Sequence, residues 1–442
     1  MNAHFGQHKH LEMKNTTKIV LDNGLKVVLK EIHHAPIVSF WIWYQVGSRL
    51  EKPGITGITH WVEHMQFKGT PSHSAREMEW KIARHGGVWN AFTHIDWTAY
   101  YETIVADQVE TAIALEADRM VNSLFAENDV EAERNVILSE KDSRENEPFH
   151  RLNNAVTSAS FIHHPYRNEV IGSYDDLKSI QRDDLYNYYR KYYQPENATI
   201  SVVGNFKTSR MIHQIRHYFE NIPSPVPVKD HVEIEPTLSI PKEVLLTGPG
   251  DTTFLQIAYR SPAANDPDFF ALLILDSYLT GPASLNMFGA GGTSNRTSRL
   301  YRKIINKRLA ESLSGGLQAT IDPYIYDLSF TLNQRQNPQA VIDTFDHEIE
   351  RIRNEGISHK DIARAIKQAR AMFAFSSENV TNQAFWLGYS ESIASVAWFY
   401  EYVERLSAVR PKDIQQVAEK YLKTTNRVVG MYLPGINENN EK

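Results

Sequence analysis

The sequence predicts an α+β fold made of two tandem, duplicated domains, each an antiparallel or mixed sheet covered on one face by helices. Two observations support this prediction. Similar residues recur at one fixed offset in the two halves of the 442-residue chain. Within each half, strand-like and helix-like segments follow one another without the regular βαβ alternation that builds a parallel sheet.

The repeat is clearest near the end of each half, where a helix, its exit and the next strand reappear at a constant offset. Single matches arise by chance, but five matches in register indicate that one domain has been copied. The matched pairs are Asp184 and Asp413, Leu185 and Ile414, Lys191 and Lys420, Tyr192 and Tyr421, and Asn197 and Asn426.

A proline-rich segment separates the two copies. Three prolines lie close together, at Pro223, Pro225 and Pro227, and proline disfavours both helix and interior strand. We therefore predict an N-terminal domain over residues 1–220, a linker over 221–239 and a C-terminal domain over 240–442.

Periodicity predicts the first-half elements that matter for function. The aromatic and β-branched stretches 37–46 and 99–105 are typical of strands. Apolar residues spaced three and four apart predict helices over 57–67, 109–124 and 129–145.

Composition excludes several classes of function. With 42% hydrophobic and 23% charged residues, the chain is typical of a globular protein. A net charge of −6 leaves no basic surplus for a phosphate backbone, so no nucleic-acid partner is expected. The absence of cysteine excludes thiolate nucleophiles and cysteine-held zinc, so a metal must be held by His, Asp or Glu.

The longest apolar run, 269–275, is far shorter than the about 20 residues that span a bilayer, so no membrane span is expected. The first residues show neither a secretory apolar region nor an Arg-rich transit peptide. We expect a cytoplasmic protein, with the periplasm as the alternative if a leader was removed. We interpret His4, His8 and His10 as part of a solvated tail.

The most informative motif is His60-Trp-Val-Glu63-His64. In a helix, residues four apart lie on one face, so both imidazoles can reach one ion, and Glu63 lies close enough to contact a bound water. This is the inverted zinc-protease order, H-x-x-E-H. The alternative is two amphipathic histidines with a solvated glutamate between them.

Catalytic zinc takes three protein ligands and leaves one position for water, so a third ligand is needed. The predicted helix over 129–145 offers Glu133 and Glu140, which are two helical turns apart and project from one face. Taken alone, this stretch is typical of a solvated charged helix.

Further motifs resemble the pitrilysin-type family, and in particular its two-domain branch that includes the mitochondrial processing peptidase. Glu140 ends an E-R-x-V-I-x-x-E stretch and follows His64 at the spacing found in that family. Residues 86–93 resemble the family's G-G-x-x-N-A-x-T strand, and residues 164–172 resemble its H-P-Y…I-G loop. The resemblance covers nearly the whole chain and implies a processing-peptidase-like metallohydrolase fold.

The resemblance implies that His60, His64 and Glu140 bind one Zn²⁺ per chain. It implies that Glu63 is the general base that activates the zinc-bound water. Glu133 corresponds to a carboxylate that orients a metal ligand, with a solvated glutamate as the alternative.

The resemblance also places Asn90 and Ala91 on an edge strand to which a peptide substrate adds as a further strand. The alternative is that Asn90 simply ends a strand. Among the tryptophans, Trp41, Trp43, Trp89 and Trp97 could line the substrate chamber, but core packing is expected for most of them.

The second half differs from the first. Residues 266–279 take the place of the metal-binding helix and contain no histidine, so we expect no metal there. The glycine-rich stretch Gly281–Gly292 resembles a family loop associated with substrate handling, with a plain surface insertion as the alternative. Where the family carries a substrate-binding Arg and Tyr, this chain has Ile305 and Ser312.

This gap implies a heterodimer in which a homologous, metal-free subunit supplies the Arg and Tyr, as in bacterial heterodimeric members of the family. The sequence as a whole therefore predicts a zinc endopeptidase subunit that cleaves peptides or unfolded segments in a chamber closed by that second subunit. The alternatives are a non-catalytic, core-type structural subunit and a metal-dependent peptide-binding module.

Overall fold

The computed structural model describes residues 15–224, 228, 230–236, 238–282, 295–333 and 335–435. His4, His8 and His10 lie outside the described residues, as do residues 283–292 of the glycine-rich stretch and parts of the predicted linker.

The first half contains eight strands and eight α-helices among its described residues. The strands are β1 (Thr16–Val20), β2 (Lys26–Glu31), β3 (Ile37–Tyr44), β4 (Gly69–Thr70), β5 (His73–Ser74), β6 (Val88–Thr93), β7 (Thr98–Val105) and β8 (Ala198–Gly204). The helices are α1 (Ile58–Met65), α2 (Ala75–Ala83), α3 (Val109–Asn122), α4 (Glu127–Glu145), α5 (Pro148–Ala159), α6 (Tyr174–Ser179), α7 (Arg182–Tyr192) and α8 (Thr208–Phe219).

The described part of the second half contains five strands and six α-helices. The strands are β9 (Lys242–Gly248), β10 (Thr253–Arg260), β11 (Ser312–Leu317), β12 (Ile325–Leu332) and β13 (Arg427–Pro434). The helices are α9 (Phe269–Leu279), α10 (Pro338–Glu355), α11 (His359–Ser376), α12 (Val380–Ile393), α13 (Val396–Ala408) and α14 (Pro411–Tyr421), with a π-helical turn at Tyr301–Ile305.

The first-half elements that periodicity predicts are all present, with small shifts at their ends. The predicted strands are β3 and β7, and the predicted helices are α1, α3 and α4. Element type follows from local spacing, whereas the end residues depend on caps and turns made with distant residues.

The strands form two large sheets of similar topology and a two-stranded sheet, β4-β5. The larger sheet has the order β1-β2-β8-β3-β7-β6, and the smaller has the order β11-β12-β10-β13-β9. In each, one pair is parallel, β2 with β8 and β9 with β13, and the other pairs are antiparallel. Read from the opposite end, the second sheet repeats the first without β1, and this confirms the predicted α+β fold of two similar halves.

One helix of each half packs on the sheet of the other half. Helix α12 packs on β3 and β8 of the first sheet, and α5 packs on β9, β10 and β13 of the second. Phe385 of α12 meets Trp41 and Trp43 edge-on, with ring centroids 5.7 and 5.4 Å apart. The sequence predicted helices on one face of each sheet only. The exchange of α5 and α12 between the halves covers the second face, which local periodicity cannot reveal.

The tryptophans behave largely as expected. Trp41, Trp43 and Trp97 are fully buried in the core between the halves, and Trp89 is half-buried against Phe67, with ring centroids 4.9 Å apart. Burial of three large rings at one interface removes much apolar surface from water and holds the halves together.

A polar cluster also joins the halves. Asp322 of the second half accepts a hydrogen bond from Arg49 Nε at 2.5 Å and pairs with His164 Nε2 at 3.1 Å. Burial opposes ionisation of Asp322, but these two partners outweigh it and hold its pKa at about 2. Tyr166 donates to Asp96 Oδ1 at 2.5 Å beside them. The H-P-Y motif thus lies at the contact between the halves.

The most apolar segment of the second half is α9, and every one of its residues is buried. It packs against α11, α13, α14 and β11, so its composition reflects a core position. Among the helices of the described residues, none has the length and apolar character needed to cross a membrane.

Candidate functional site

Helix α1 carries the H-x-x-E-H motif, and its opposite face is packed in the core of the first half. Trp61, Val62 and Met65 are buried in the first-half core, and the helix packs against α4 and α7. His60, Glu63 and His64 lie on the side that faces α4 and β6, because residues three and four apart share a helix face.

The start of α1 requires a glycine. Gly57 has φ of +88°, and a Cβ there would lie 2.3 Å from the carbonyl oxygen of Ile171. Glu51 caps this end by accepting hydrogen bonds from the backbone N–H groups of Gly57 and Thr59 at 2.9 and 3.0 Å. Burial raises the pKa of Glu51 to about 7. The Ile171 carbonyl of the I-G motif thus lies directly against the start of α1.

Three predicted ligands converge between α1 and α4. Ligand atoms of His60, His64 and Glu140 all lie within 4.8 Å of one another. Glu140 Oε2 is 3.7 Å from His60 Nε2 and 3.9 Å from His64 Nε2. The imidazole rings are 4.6 Å apart and steeply inclined, so both can direct a nitrogen at one point.

Glu133, two helical turns before Glu140 on α4, lies behind the second imidazole. Its Oε2 is 2.9 Å from His64 Nδ1, and its Oε1 forms an ion pair with Lys68. Its side chain is only 8% exposed. With Nδ1–H donating to Glu133, the free lone pair of His64 is on Nε2, the atom that faces Glu140.

The two imidazoles have different electrostatics. Burial lowers the pKa of His60 to about 3, and the charges of His64 and Arg144 act in the same direction, so His60 is neutral at pH 7. Burial also lowers the pKa of His64, but the hydrogen bond and charge of Glu133 and the nearby charge of Glu63 outweigh it and raise the pKa.

Glu63 lies between the imidazoles and the end of β6. Thr93 Oγ1 donates to Glu63 Oε2 at 3.1 Å. Burial raises the pKa of Glu63 above its usual value, although His64 and Thr93 oppose the shift. A carboxylate with a raised pKa is a better proton acceptor near neutral pH than an ordinary one.

Asn90 and Ala91 lie in β6, which is the outermost strand of its sheet. Asn90 is exposed, and its Oδ1 accepts a hydrogen bond from the Ala91 N–H at 2.9 Å. The same strand ends at Thr93, which hydrogen-bonds Glu63, so β6 ends beside Glu63.

The second half places no Arg–Tyr pair at the predicted positions. Ile305 is half-buried against the core, and Ser312 is exposed at the start of β11. Arg299 is held by Glu348, with contacts of 2.6 and 3.0 Å, and Arg302 donates to the carbonyl oxygen of Ser298 at 3.3 Å.

The second-half counterpart of the His60 site is a closed polar network. Asp276 follows Arg260, the end of β10, at the same spacing at which His60 follows Tyr44, the end of β3. Its Oδ1 accepts hydrogen bonds from Thr280 and Tyr326, both at 2.9 Å. Asp276 is buried, so this network leaves no open face for a ligand.

Comparisons with known proteins give the family. A model described as "Insulinase (Peptidase family M16)" matches residues 26–173, and one described as "Peptidase M16 inactive domain" matches residues 179–369. The chain belongs to peptidase family M16. This confirms the pitrilysin-type resemblance.

Similar M16 proteins extend along almost the whole chain. An uncharacterized zinc protease of Streptomyces coelicolor is 25% identical and aligns over 94% of this chain and 89% of its own length. A protein of Arabidopsis thaliana named probable mitochondrial-processing peptidase subunit beta is 26% identical over 94% of this chain and 78% of its own length. The crystal structure of a protease from Helicobacter pylori shares the fold, with a TM-score of 0.87 at 23% identity, covering 95% of this chain and 99% of that one.

Sequence reasoning missed several residues that surround the site. Arg144 follows Glu140 by one turn on a predicted helix, so spacing alone could have indicated the contact. Lys68 and Glu51 carry no local signal, because their partners Glu133 and Thr59 meet them only through the packing of α1 against its neighbours.

Proposed function

We propose that the protein is a zinc endopeptidase subunit that cleaves peptides or unfolded segments in a chamber closed by a related second subunit. The observation that carries the proposal is the convergence of His60, His64 and Glu140 within 4.8 Å, with Glu63 on the same helix as the two histidines. Membership in peptidase family M16 supports it.

The donor set suits zinc. Two imidazoles and one carboxylate are a typical three-residue set for catalytic zinc, which keeps a further position for water or substrate. The separations of 3.7 and 3.9 Å between Glu140 and the imidazole nitrogens are short enough for shared coordination after small side-chain movements. A zinc ion held there would supply Lewis acidity to the scissile carbonyl and acidify a water to a pKa of about 7.

Glu63 is the proton acceptor in this proposal. It accepts a proton from the attacking water and then delivers it to the leaving amine, so one carboxylate serves both steps. Burial raises its proton affinity and Thr93 fixes one of its oxygens, which keeps the other available for the proton.

Glu133 has an indirect role. By accepting the His64 Nδ1–H, it fixes the tautomer and orientation of the ring and increases the basicity of Nε2. Lys68 in turn holds Glu133, so the chain Lys68, Glu133 and His64 forms a rigid support on the far side from substrate.

The free edge of β6 is the proposed substrate site. An extended peptide would add to it through main-chain hydrogen bonds. The Ala91 N–H, which now donates to Asn90 Oδ1, would then donate to the peptide instead. This mode requires a substrate that can adopt an extended conformation. It therefore favours peptides and unfolded segments over folded proteins.

A second, homologous subunit is part of the proposal because this chain lacks donors where the family carries Arg and Tyr. Ile305 and Ser312 cannot replace them, and Arg299 is engaged by Glu348. A homodimer would repeat this gap in both subunits. A metal-free partner that supplies both residues would complete one site per heterodimer.

The test combines metal content with cleavage. We expect one zinc per purified chain and cleavage of an unfolded peptide, with activity lost to a chelator and restored by zinc. Adding the partner should raise kcat/KM until one partner is present per chain. Zinc without cleavage, even with the partner, would favour a peptide-binding module. Absence of zinc would favour a core-type structural subunit.

A further inference from the structure

Arg144 contacts one of the two oxygens of the Glu140 carboxylate and leaves the other facing the imidazoles. It lies one helical turn after Glu140 on α4, and its Nη2 donates to Glu140 Oε1 at 2.5 Å. The other oxygen, Oε2, is the one that faces the nitrogens of His60 and His64. Among the described residues, Arg144 is the only side chain that hydrogen-bonds this carboxylate.

We propose that Arg144 is a positioning residue that engages Glu140 Oε1 so that only Oε2 is presented to the metal. The inference rests on the proposed zinc site. A glutamate side chain has several rotatable bonds, and that of Glu140 is 30% exposed, so without a partner it would sample many orientations. Arg144 would do for Glu140 what Glu133 does for His64.

Whether removal of Arg144 weakens or strengthens zinc binding distinguishes a positioning role from a purely electrostatic one. A guanidinium near a divalent cation repels it, so removal of a bare positive charge should strengthen zinc binding. If Arg144 acts through Glu140, its removal should weaken zinc binding instead, because the ligand loses its orientation. Substitution of residues that orient metal ligands typically weakens binding by about 10- to 100-fold.

Zinc affinity, measured by competition with a chromogenic chelator, is the direct readout. Arg144→Gln should bind zinc about 10- to 100-fold more weakly than the wild type, and Arg144→Lys should lose less. Excess zinc should restore most of the kcat of Arg144→Gln, since the residue does not itself touch substrate in this proposal.

Arg405→Gln is the matched control. Arg405 lies one turn after Glu401 on α13 and donates to it at 2.6 Å. The exposures of that pair, 40% and 32%, are nearly those of Arg144 and Glu140, 44% and 30%. Since Arg405 lies in the second half, its substitution should leave zinc affinity unchanged.

A double-mutant cycle tests the route of the effect. In a Glu140→Gln background, Arg144→Gln should add little to the loss of affinity. Unchanged or tighter zinc binding by Arg144→Gln, or an equal loss in both backgrounds, would overturn the inference. If Arg144→Gln does not fold, zinc affinity is measured for Arg144→Lys instead, and unchanged or tighter binding by that variant would overturn the inference. Absence of zinc from the wild type would instead refute the proposed function.

Discussion

The helix that follows the equivalent strand carries different polar residues in the two halves. In the first half, α1 follows its strand with His60 and His64 directed into a partly open site beside the edge strand β6. In the second half, α9 follows the equivalent strand with Asp276 and Thr280 at the matching positions, bonded to each other and buried. One topology therefore frames a candidate metal site in one copy and a closed core in the other.

The difference lies in how the polar groups are satisfied. Asp276 Oδ1 accepts hydrogen bonds from two hydroxyl groups within the core. In the first half, His64 donates its Nδ1–H to Glu133, so its Nε2 faces Glu140 Oε2 as one acceptor facing another. Two facing acceptors repel each other, and a cation, a proton or a water that donates to both would relieve this repulsion.

Removal of a first-half imidazole should have the largest effect. His60→Ala or His64→Ala leaves two of three ligands, so we expect loss of stoichiometric zinc and of detectable cleavage. Elemental analysis of the purified variant measures the metal. Thr280→Ala changes the position that matches His64 in the other half, and it should retain zinc. Equal zinc loss in that control would contradict the assignment of the site to the first half.

Removal of the proposed base should separate metal binding from turnover. Glu63→Gln keeps the shape of the side chain but cannot accept the proton, so kcat should fall by about 10²- to 10⁴-fold while zinc content is unchanged. Single-turnover kinetics with an unfolded peptide measure the loss. Wild-type turnover by this variant would exclude Glu63 from the mechanism.

The support behind His64 should matter less than the ligand itself. Glu133→Gln weakens the hydrogen bond to Nδ1, and we expect zinc affinity to fall by about 10- to 100-fold without complete metal loss. Glu131→Gln is the control, because Glu131 lies on the same helix but is 64% exposed and pairs with Arg134. Similar losses in both variants would indicate a general effect on α4.

The free edge should control substrate binding. Ala91→Pro removes an N–H that donates to Asn90 and would be released to substrate, so KM for an unfolded peptide should rise by several-fold with a smaller change in kcat. Val20→Pro is the control on β1, the opposite edge of the same sheet. A KM unchanged by Ala91→Pro would remove β6 from substrate binding.

The smallest expected effect concerns the closed network of the second half. Burial raises the pKa of Asp276 from 3.8 to about 7, and the charge of Asp327 adds to the shift. Because the folded state favours the neutral carboxyl, its ionisation lowers stability progressively as the pH rises from about 4 to 7.

Asp276→Asn keeps an acceptor for Thr280 and Tyr326 but cannot ionise. Its Tm relative to the wild type should therefore rise by a few degrees between about pH 4 and pH 8, since each tenfold preference for the neutral form is worth about 1.4 kcal/mol. Thermal unfolding at several pH values measures this. A difference in Tm that does not change with pH would show that Asp276 does not titrate in this range.

Much of the fold followed from local pattern. The strand at β3 and the helices at α1, α3 and α4 were predicted because apolar spacing reports whether a segment buries one face of a helix or of a strand. The exchange of α5 and α12 was not predicted. Spacing shows that a helix has an apolar face, but it does not show which sheet that face covers.

The candidate site divides in the same way. By itself the sequence determined the spacing of His60, Glu63 and His64 on one helix, the two carboxylates two turns apart on another, and the absence of histidine from the second-half counterpart. These are properties of neighbours in the chain, and helix geometry converts them directly into shared faces.

Only the tertiary structure decided how far apart those faces lie and what supports them. It brought Glu140 to 3.7 and 3.9 Å from the two imidazole nitrogens, buried Glu133 between His64 and Lys68, and directed Arg144 to Glu140 Oε1. It also closed the matching position around Asp276. The reason is physical: such contacts depend on how helices pack across many residues of sequence separation, and packing is set by the whole core rather than by any one segment.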